Sequence, residues 1–123
     1  MTVLLPAAIA GFFDQCTARN FAGVCTCFSP DAHVYDEKQN INGHAAIEKW
    51  ITHAIGSTDA VHVVTSATAL PDTPAANRQS LADITDGQLR VTADVSGNFK
   101  GSPVNLTYLF TLHAGKITAL EIG

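Results

Sequence analysis

"HVYDEKQNINGHAAIEKW", residues 33–50, is where the chain changes its pattern. Upstream, apolar residues recur at helical spacing. Downstream of the segment, most of the chain alternates. Within it, Ala32, Val34 and Asp36 share one face of a short strand over residues 32–36, and His33 and Tyr35 the other. A polar loop follows, and Asn42-Gly43 turns the chain into a helix over about residues 44–55. The apolar stripe of that helix is Ala46, Ile47, Trp50, Ile51 and Ala54, and Gly56 is placed to cap its end. A carboxylate thus ends an apolar strand just before a helix carrying the only tryptophan. It either ties down a turn or stands at the edge of a pocket.

Toward the N-terminus the signals are helical. Thr2 can cap a first helix with Pro6 in its first turn, and Ile9, Phe12, Phe13 and Cys16 form its apolar face. Arg19-Asn20 ends it. Asn20 can cap a second, short helix with Phe21, Val24, Cys25 and Phe28 on one face. Ser29-Pro30-Asp31 is turn chemistry and stops that helix.

Toward the C-terminus the signals are those of strands. "VHVVTSATAL" (61–70) is rich in β-branched residues, and "LRVTADVSGNF" (89–99) alternates. Between them, residues 71–88 hold most of the turn formers, with Leu81 to Ile84 read as a strand extension. In "PVNLTYLFTL" (103–112), Val104, Leu106, Tyr108, Phe110 and Leu112 share the inward face. Ala114-Gly115 makes a hairpin turn into "KITALEI" (116–122).

Three N-terminal helices followed by antiparallel strands make one α+β domain over residues 1–123. A strongly curved, mostly antiparallel sheet wrapped around helices makes a cone with an internal cavity. The outer sheet face, with Val64 and Leu109 assigned to it, is expected to form a homodimer, with about 800 Å² buried per partner.

The net charge of −4 and seven scattered basic residues argue against nucleic acid and against a membrane surface. No apolar run is long enough to span a bilayer. "MTVLLPAAIAGFF" lacks a basic start and reads as a helix start, a secretory leader being the alternative. Cys16, Cys25 and Cys27 match no zinc or disulfide framework and read as reduced apolar residues of a cytoplasmic protein. The five histidines show no metal-ligand spacing, so neither metal nor cofactor is implied. His53, one turn after Trp50, falls near a cavity mouth. "SGNFKGSP" (96–103) precedes no helix, so its glycines fit a sheet bend rather than a phosphate loop.

"FSPDAHVYD", "INGHAAIEKW" and "VSGNFKGSPVNLTYLFTLHAGKITALEI" together resemble the SnoaL-like branch of the nuclear transport factor 2-like superfamily. The resemblance covers nearly the whole chain and is weakest over residues 71–88. It implies a cone-shaped fold, often dimeric, that hosts polyketide cyclases, steroid isomerases and dehydratases. In several such enzymes a carboxylate ending the first strand is the general base, and Asp36 falls on that position. Steroid isomerases of the fold pair the base with a first-helix tyrosine and a protonated acid on a late strand. Here the first-helix position carries Phe12, the late strand offers Leu106 or its apolar neighbours, and Tyr108 is the phenol that parity leaves as a donor.

Two readings of Asp36 stand at this point: a turn residue that hydrogen-bonds backbone amides, and a catalytic or ligand-contacting base. Two functions follow. One is a cofactor-free cyclase, isomerase or dehydratase-type lyase acting on an apolar carbonyl compound. Asp36 would be its base and Tyr108 its donor, with Phe12, Phe13, Val34, Trp50, His53 and Phe110 around the pocket. The other is a non-catalytic domain of the same fold that binds an apolar small molecule or serves assembly.

Overall fold

A computed structural model describes residues 5–36, 38–70 and 81–123. Helix α1 (Ala7–Thr17) starts at Pro6, whose extended backbone turns into the helix without a side-chain cap. Thr2, expected as that cap, lies outside the described residues. Ile9, Phe12, Phe13 and Cys16 form the buried face of α1. Helix α2 (Phe21–Thr26) is capped as its sequence suggests, the Asn20 side chain accepting from the Gly23 amide.

Strand β1 (Phe28–Asp36) begins earlier than the alternation indicates. Ser29-Pro30-Asp31 does not end a helix but lies inside the strand, and Phe28 is a strand residue. The register of β1 against its neighbour shifts between Phe28 and His33. Pro30 has no N–H for the ladder, which is why this stretch is irregular. A short strand β2 (Gln39–Asn42) replaces the expected loop and pairs with β1. On that hairpin, His33 Nδ1 and Asn42 Oδ1 lie 2.6 Å apart.

Gly43, at φ +84°, carries the chain into α3 (His44–Gly56), and its amide donates to the Ala32 carbonyl at 2.9 Å. A left-handed backbone at this junction favours glycine. At the other end, Gly56 is the last helical residue rather than a glycine cap. The cap is Ser57 in a right-handed conformation, with its hydroxyl donating to the His53 carbonyl.

The remaining strands are β3 (Val61–Ala69), β4 (Gly87–Ser96), β5 (Val104–His113) and β6 (Lys116–Ile122). Leu81–Asp83 form a 3₁₀ turn where a strand extension was expected, and residues 71–80 lie outside the described residues. The six-stranded sheet runs β2-β1-β6-β5-β4-β3, antiparallel except for β1 beside β6. Ala114 and Gly115, both with positive φ, make the tight β5–β6 turn.

The inward faces are Leu89, Val91, Ala93 and Val95 on β4, and Tyr108, Phe110 and Leu112 on β5. They pack on α1, where Phe12 meets Phe13, Phe28 and Phe110 edge-on at centroid distances of 5.1–5.9 Å. Burying one such ring is worth roughly 1.5–3 kcal/mol. On β3 the phase differs from the sequence reading. Val64 packs toward the core, whereas Val61 and Val63 point out, 51% and 59% exposed. A bulge between Val64 and Ser66 then resets the alternation, so Ala67 and Ala69 also turn inward. All three cysteines are free thiols. Burial pushes Cys16 up to about 12, so it stays protonated.

Candidate functional site

Helix α3 has two working faces. Ile47, Ile51 and Ile55 form the buried row. Beside it, Ala46, Trp50, His53 and Ala54 face a cavity of about 720 Å³ between the helix and the curled sheet. Its floor and walls are largely apolar: Phe12, Ile41, Val95, Phe99, Val104, Leu106 and Ile122. Polar groups enter from Asp36, Gln39, Asn40, Ser57, Thr58, His62 and Tyr108, while the exposed Lys49, His53 and Lys100 add cationic or ionisable groups to the lining. A concave volume of several hundred Å³ with apolar walls and polar groups among them has the size and character of a small-molecule site.

Loop 97–103 helps close one end. The Asn98 amide donates to the Thr58 carbonyl at 2.6 Å, seating the loop on the α3–β3 connection. Gly97 is required there, because a Cβ would come within 2.6 Å of that same carbonyl. The glycine-rich stretch therefore does packing work, carrying Phe99 and Lys100 to the cavity.

Asp36 answers the question raised by its position. Its Oδ2 accepts a hydrogen bond from the Trp50 indole Nε1 at 2.9 Å. Among the described residues no backbone amide of the following turn donates to it. Strand end and tryptophan are thus parts of one feature: the carboxylate lines the cavity, and the indole fixes its orientation.

Tyr108 is 2% exposed. Its ring meets Phe13 edge-on at 5.4 Å and stacks on Phe110 at 6.1 Å. Burial, and then the nearby Cys16 and Asp36, push its hydroxyl well above the usual phenol range, so it remains a donor. His62 reaches the cavity from β3, its ring 6.3 Å from that of Tyr108. Burial, assisted by the Arg19 guanidinium, holds His62 down at about 4, so it is a neutral imidazole at physiological pH. Arg19 is itself fixed by Asp59 and the Ala60 carbonyl, each at 2.8 Å.

Of the residues assigned from sequence, Asp36, Tyr108, Phe12, Trp50 and His53 meet around this cavity. Phe13, Val34 and Phe110 do not line it. Val34 and Phe110 are fully buried, and Phe13 packs among Phe12, His62, Tyr108 and Phe110. They share the inward faces of their elements but lie in the packed core. His62 is the functional candidate that sequence reasoning missed. Strand parity could not reveal it, since residue 62 shares its face with residue 64 and that face was assigned outward. Among the described residues no three His, Cys, Asp or Glu side chains converge as a metal ion would require.

Comparison with known proteins gives the architecture a lineage. A provisionally assigned polyketide cyclase from Sinorhizobium meliloti is 33% identical, with a TM-score of 0.80 over 97% of this chain and 95% of that one. A Catenulispora acidiphila protein of ketosteroid isomerase-like fold, in complex with trimethylamine, is 16% identical (TM-score 0.72; 97% and 85% covered). The Anabaena orange carotenoid protein binding canthaxanthin is 20% identical (TM-score 0.75) over 99% of this chain and 37% of that one. The last two likenesses concern the fold alone. Comparison with curated protein sequences gave no significant match. Residues 9–120 match the SnoaL-like domain. With that match over almost its whole length and a helix-lined cone of the same architecture, this chain belongs to the SnoaL-like family of the nuclear transport factor 2-like superfamily.

Proposed function

We propose that this protein is a cofactor-free pocket enzyme acting on an apolar carbonyl compound, with Asp36 as general base and Tyr108 as donor. The observation that carries this is the Asp36–Trp50 hydrogen bond at 2.9 Å on the cavity lining. The indole holds one carboxylate oxygen, leaving the other able to take a proton. In the proposed step Asp36 removes a proton from carbon next to the carbonyl. The C–H electron pair passes to the carbonyl oxygen, and a donor stabilises the enolate. Returning the proton at another carbon gives an isomerase, and attack of the enolate carbon on a second carbonyl gives a cyclase. The polyketide cyclase description of the Sinorhizobium relative supports the same substrate class.

A specific observation favours the non-catalytic alternative. Phe12 lines the cavity where steroid isomerases of this fold are expected to carry a tyrosine, and the late strand brings the apolar Val104 and Leu106 to it where an acid is expected. Carotenoid binding by the Anabaena protein supports an apolar ligand in such a cone. On either reading the homodimer contact is expected on the outer sheet face, with Val61 and Val63 taking the place assigned to Val64.

Deuterium exchange at the α-carbon of cyclic ketones in D₂O, followed by NMR, separates the two functions. The expected result is exchange accelerated by the wild type and lost in Asp36→Asn, while binding survives in both. Ketones that bind without exchanging would establish the non-catalytic reading. Exchange that persists in Asp36→Asn would remove Asp36 as the base.

A further inference from the structure

Asp36 and His62 stand near opposite edges of the sheet. Asp36 ends β1, the second strand in spatial order, and His62 lies on β3, the last. Curling brings both to one cavity, with Tyr108 of β5 between them in strand order. Their states differ. The Asp36 carboxylate has the Trp50 indole. Neither the Tyr108 hydroxyl nor the His62 ring has a hydrogen-bond partner among the described residues.

A buried hydroxyl without a partner costs about 1–3 kcal/mol, and native structures rarely leave one so. Among the described residues every fully enclosed side-chain nitrogen or oxygen is hydrogen-bonded. The unpartnered Tyr108 hydroxyl is therefore one that opens onto the cavity, although the residue as a whole is 2% exposed. The same holds for the His62 ring nitrogens. Around Tyr108, Phe13 and Phe110 hold its ring, and His62 faces it edge-on.

We propose that His62 and Tyr108 together form an uncharged oxygen-binding subsite that holds the carbonyl of the ligand, so that the cavity selects ketones over oxygen-free molecules of the same shape. The inference rests on the carbonyl-compound reading above, but it concerns recognition and is independent of any turnover. Both groups are suited to it. The phenol stays protonated and donates. The imidazole stays neutral beside the Arg19 cation and offers one N–H and one acceptor nitrogen. Two donors converging on one oxygen give direction as well as attraction. The same pair would meet the growing charge on a carbonyl oxygen, the task for which Phe12 and Leu106 have no suitable group. His62 is on this account a specificity-determining residue. A site built to hydrogen-bond an oxygen discriminates strongly against the analogue without it, because its own polar groups are left unpaired.

The test uses 9-fluorenone and fluorene, which share a ring skeleton and differ by the carbonyl. Equilibrium dialysis of the full chain is expected to show fluorenone bound at least about tenfold more tightly, one good hydrogen bond's worth. Tyr108→Phe and His62→Phe should each reduce that preference to below about threefold with fluorene affinity unchanged, while Asp36→Asn keeps it. Retention of the Asp36→Asn preference alongside lost exchange would separate the subsite from the base. Equal binding of the two probes by the wild type, or an undiminished preference in either strand variant, would overturn the proposal. Should either variant fail to fold, the wild type still decides. The ¹⁵N resonances of the His62 ring should move with fluorenone and not with fluorene, and their failure to move would overturn it equally.

Discussion

The closed end of the cone and its cavity end are built from the same strands with opposite outcomes. At the closed end the inward positions carry Phe28, Phe110, Ile117 and Leu120, all essentially inaccessible, and Phe12 meets three other phenylalanines. Toward the cavity the inward positions carry Asp36, His62 and Leu106, and the helix facing them presents Trp50, His53 and two alanines beside Ile51 and Ile55. Inward is therefore not the same as packed. A single alternating pattern supplies both a core and a site, and what separates them is the distance along each strand from the aromatic cluster.

The largest expected effect breaks the closed end. Phe110 is fully buried and touches Phe12, Phe13 and Tyr108 with ring centroids 5.6–6.1 Å away. Phe110→Ala should lower unfolding stability by about 3–5 kcal/mol in urea titration, as ring removal leaves a void that a sheet-and-helix sandwich cannot close. Leu106→Ala, whose side chain already borders empty space, should cost clearly less. Equal losses at the two positions would erase the distinction between core and cavity wall.

The second effect tests the cavity end through pH. His62 titrates at about 4 in the folded protein against 6.5 in the unfolded chain. Above pH 6.5 both states are neutral and the residue contributes no pH dependence. Between 6.5 and 4 the unfolded chain takes up a proton that the folded protein refuses, so stability falls as the pH falls. The loss reaches up to about 3 kcal/mol and levels off once the folded state also protonates. Urea midpoints from pH 7 to pH 4 should therefore drop more steeply for wild type than for His62→Phe. Parallel curves would mean that the imidazole is not desolvated, and that this wall is wetter than the geometry indicates.

These two residues also mark how far the sequence can be read. Phe110 lies in the best alternating stretch of the chain, so its inward direction follows from parity alone. Its depth does not, and the sequence placed it on the pocket wall with Phe13 and Val34. Depth depends on how the sheet curls, which no local pattern encodes. His62 failed differently. In "VHVV" either strand phase buries a valine, so apolar content cannot choose between them, and the histidine fell to the wrong side. The bulge after Val64 compounds this by changing the phase within one strand. Helix α3, Asn20 and the Ala114-Gly115 turn were legible because each rests on chemistry within a few residues. Strand β2 was not, because "QNIN" is held by its cross-strand partner and by His33 rather than by its own propensity.

The smallest effect separates the carboxylate's charge from its place in the structure. Asp36 accepts one hydrogen bond, from the Trp50 indole, and no turn amide among the described residues depends on it. An asparagine keeps a carbonyl oxygen at the same place and can accept that N–H. Asp36→Asn should therefore alter stability by less than about 0.5 kcal/mol at pH 7, within the range of substitutions that remove no packing or hydrogen bond. Asp36→Ala removes the acceptor and leaves the half-buried indole without its partner, for an expected loss of about 1 kcal/mol. Urea unfolding followed by the fluorescence of the single tryptophan measures both, since the reporter is the partner itself. A turn-fixing carboxylate would give the other pattern, with Asp36→Asn costing as much as Asp36→Ala. If Asp36→Asn proves neutral while ketone exchange disappears, the charge serves chemistry and the oxygen serves the tryptophan. Appreciable destabilisation by Asp36→Asn, with ligand binding unaffected, would return the residue to a structural role.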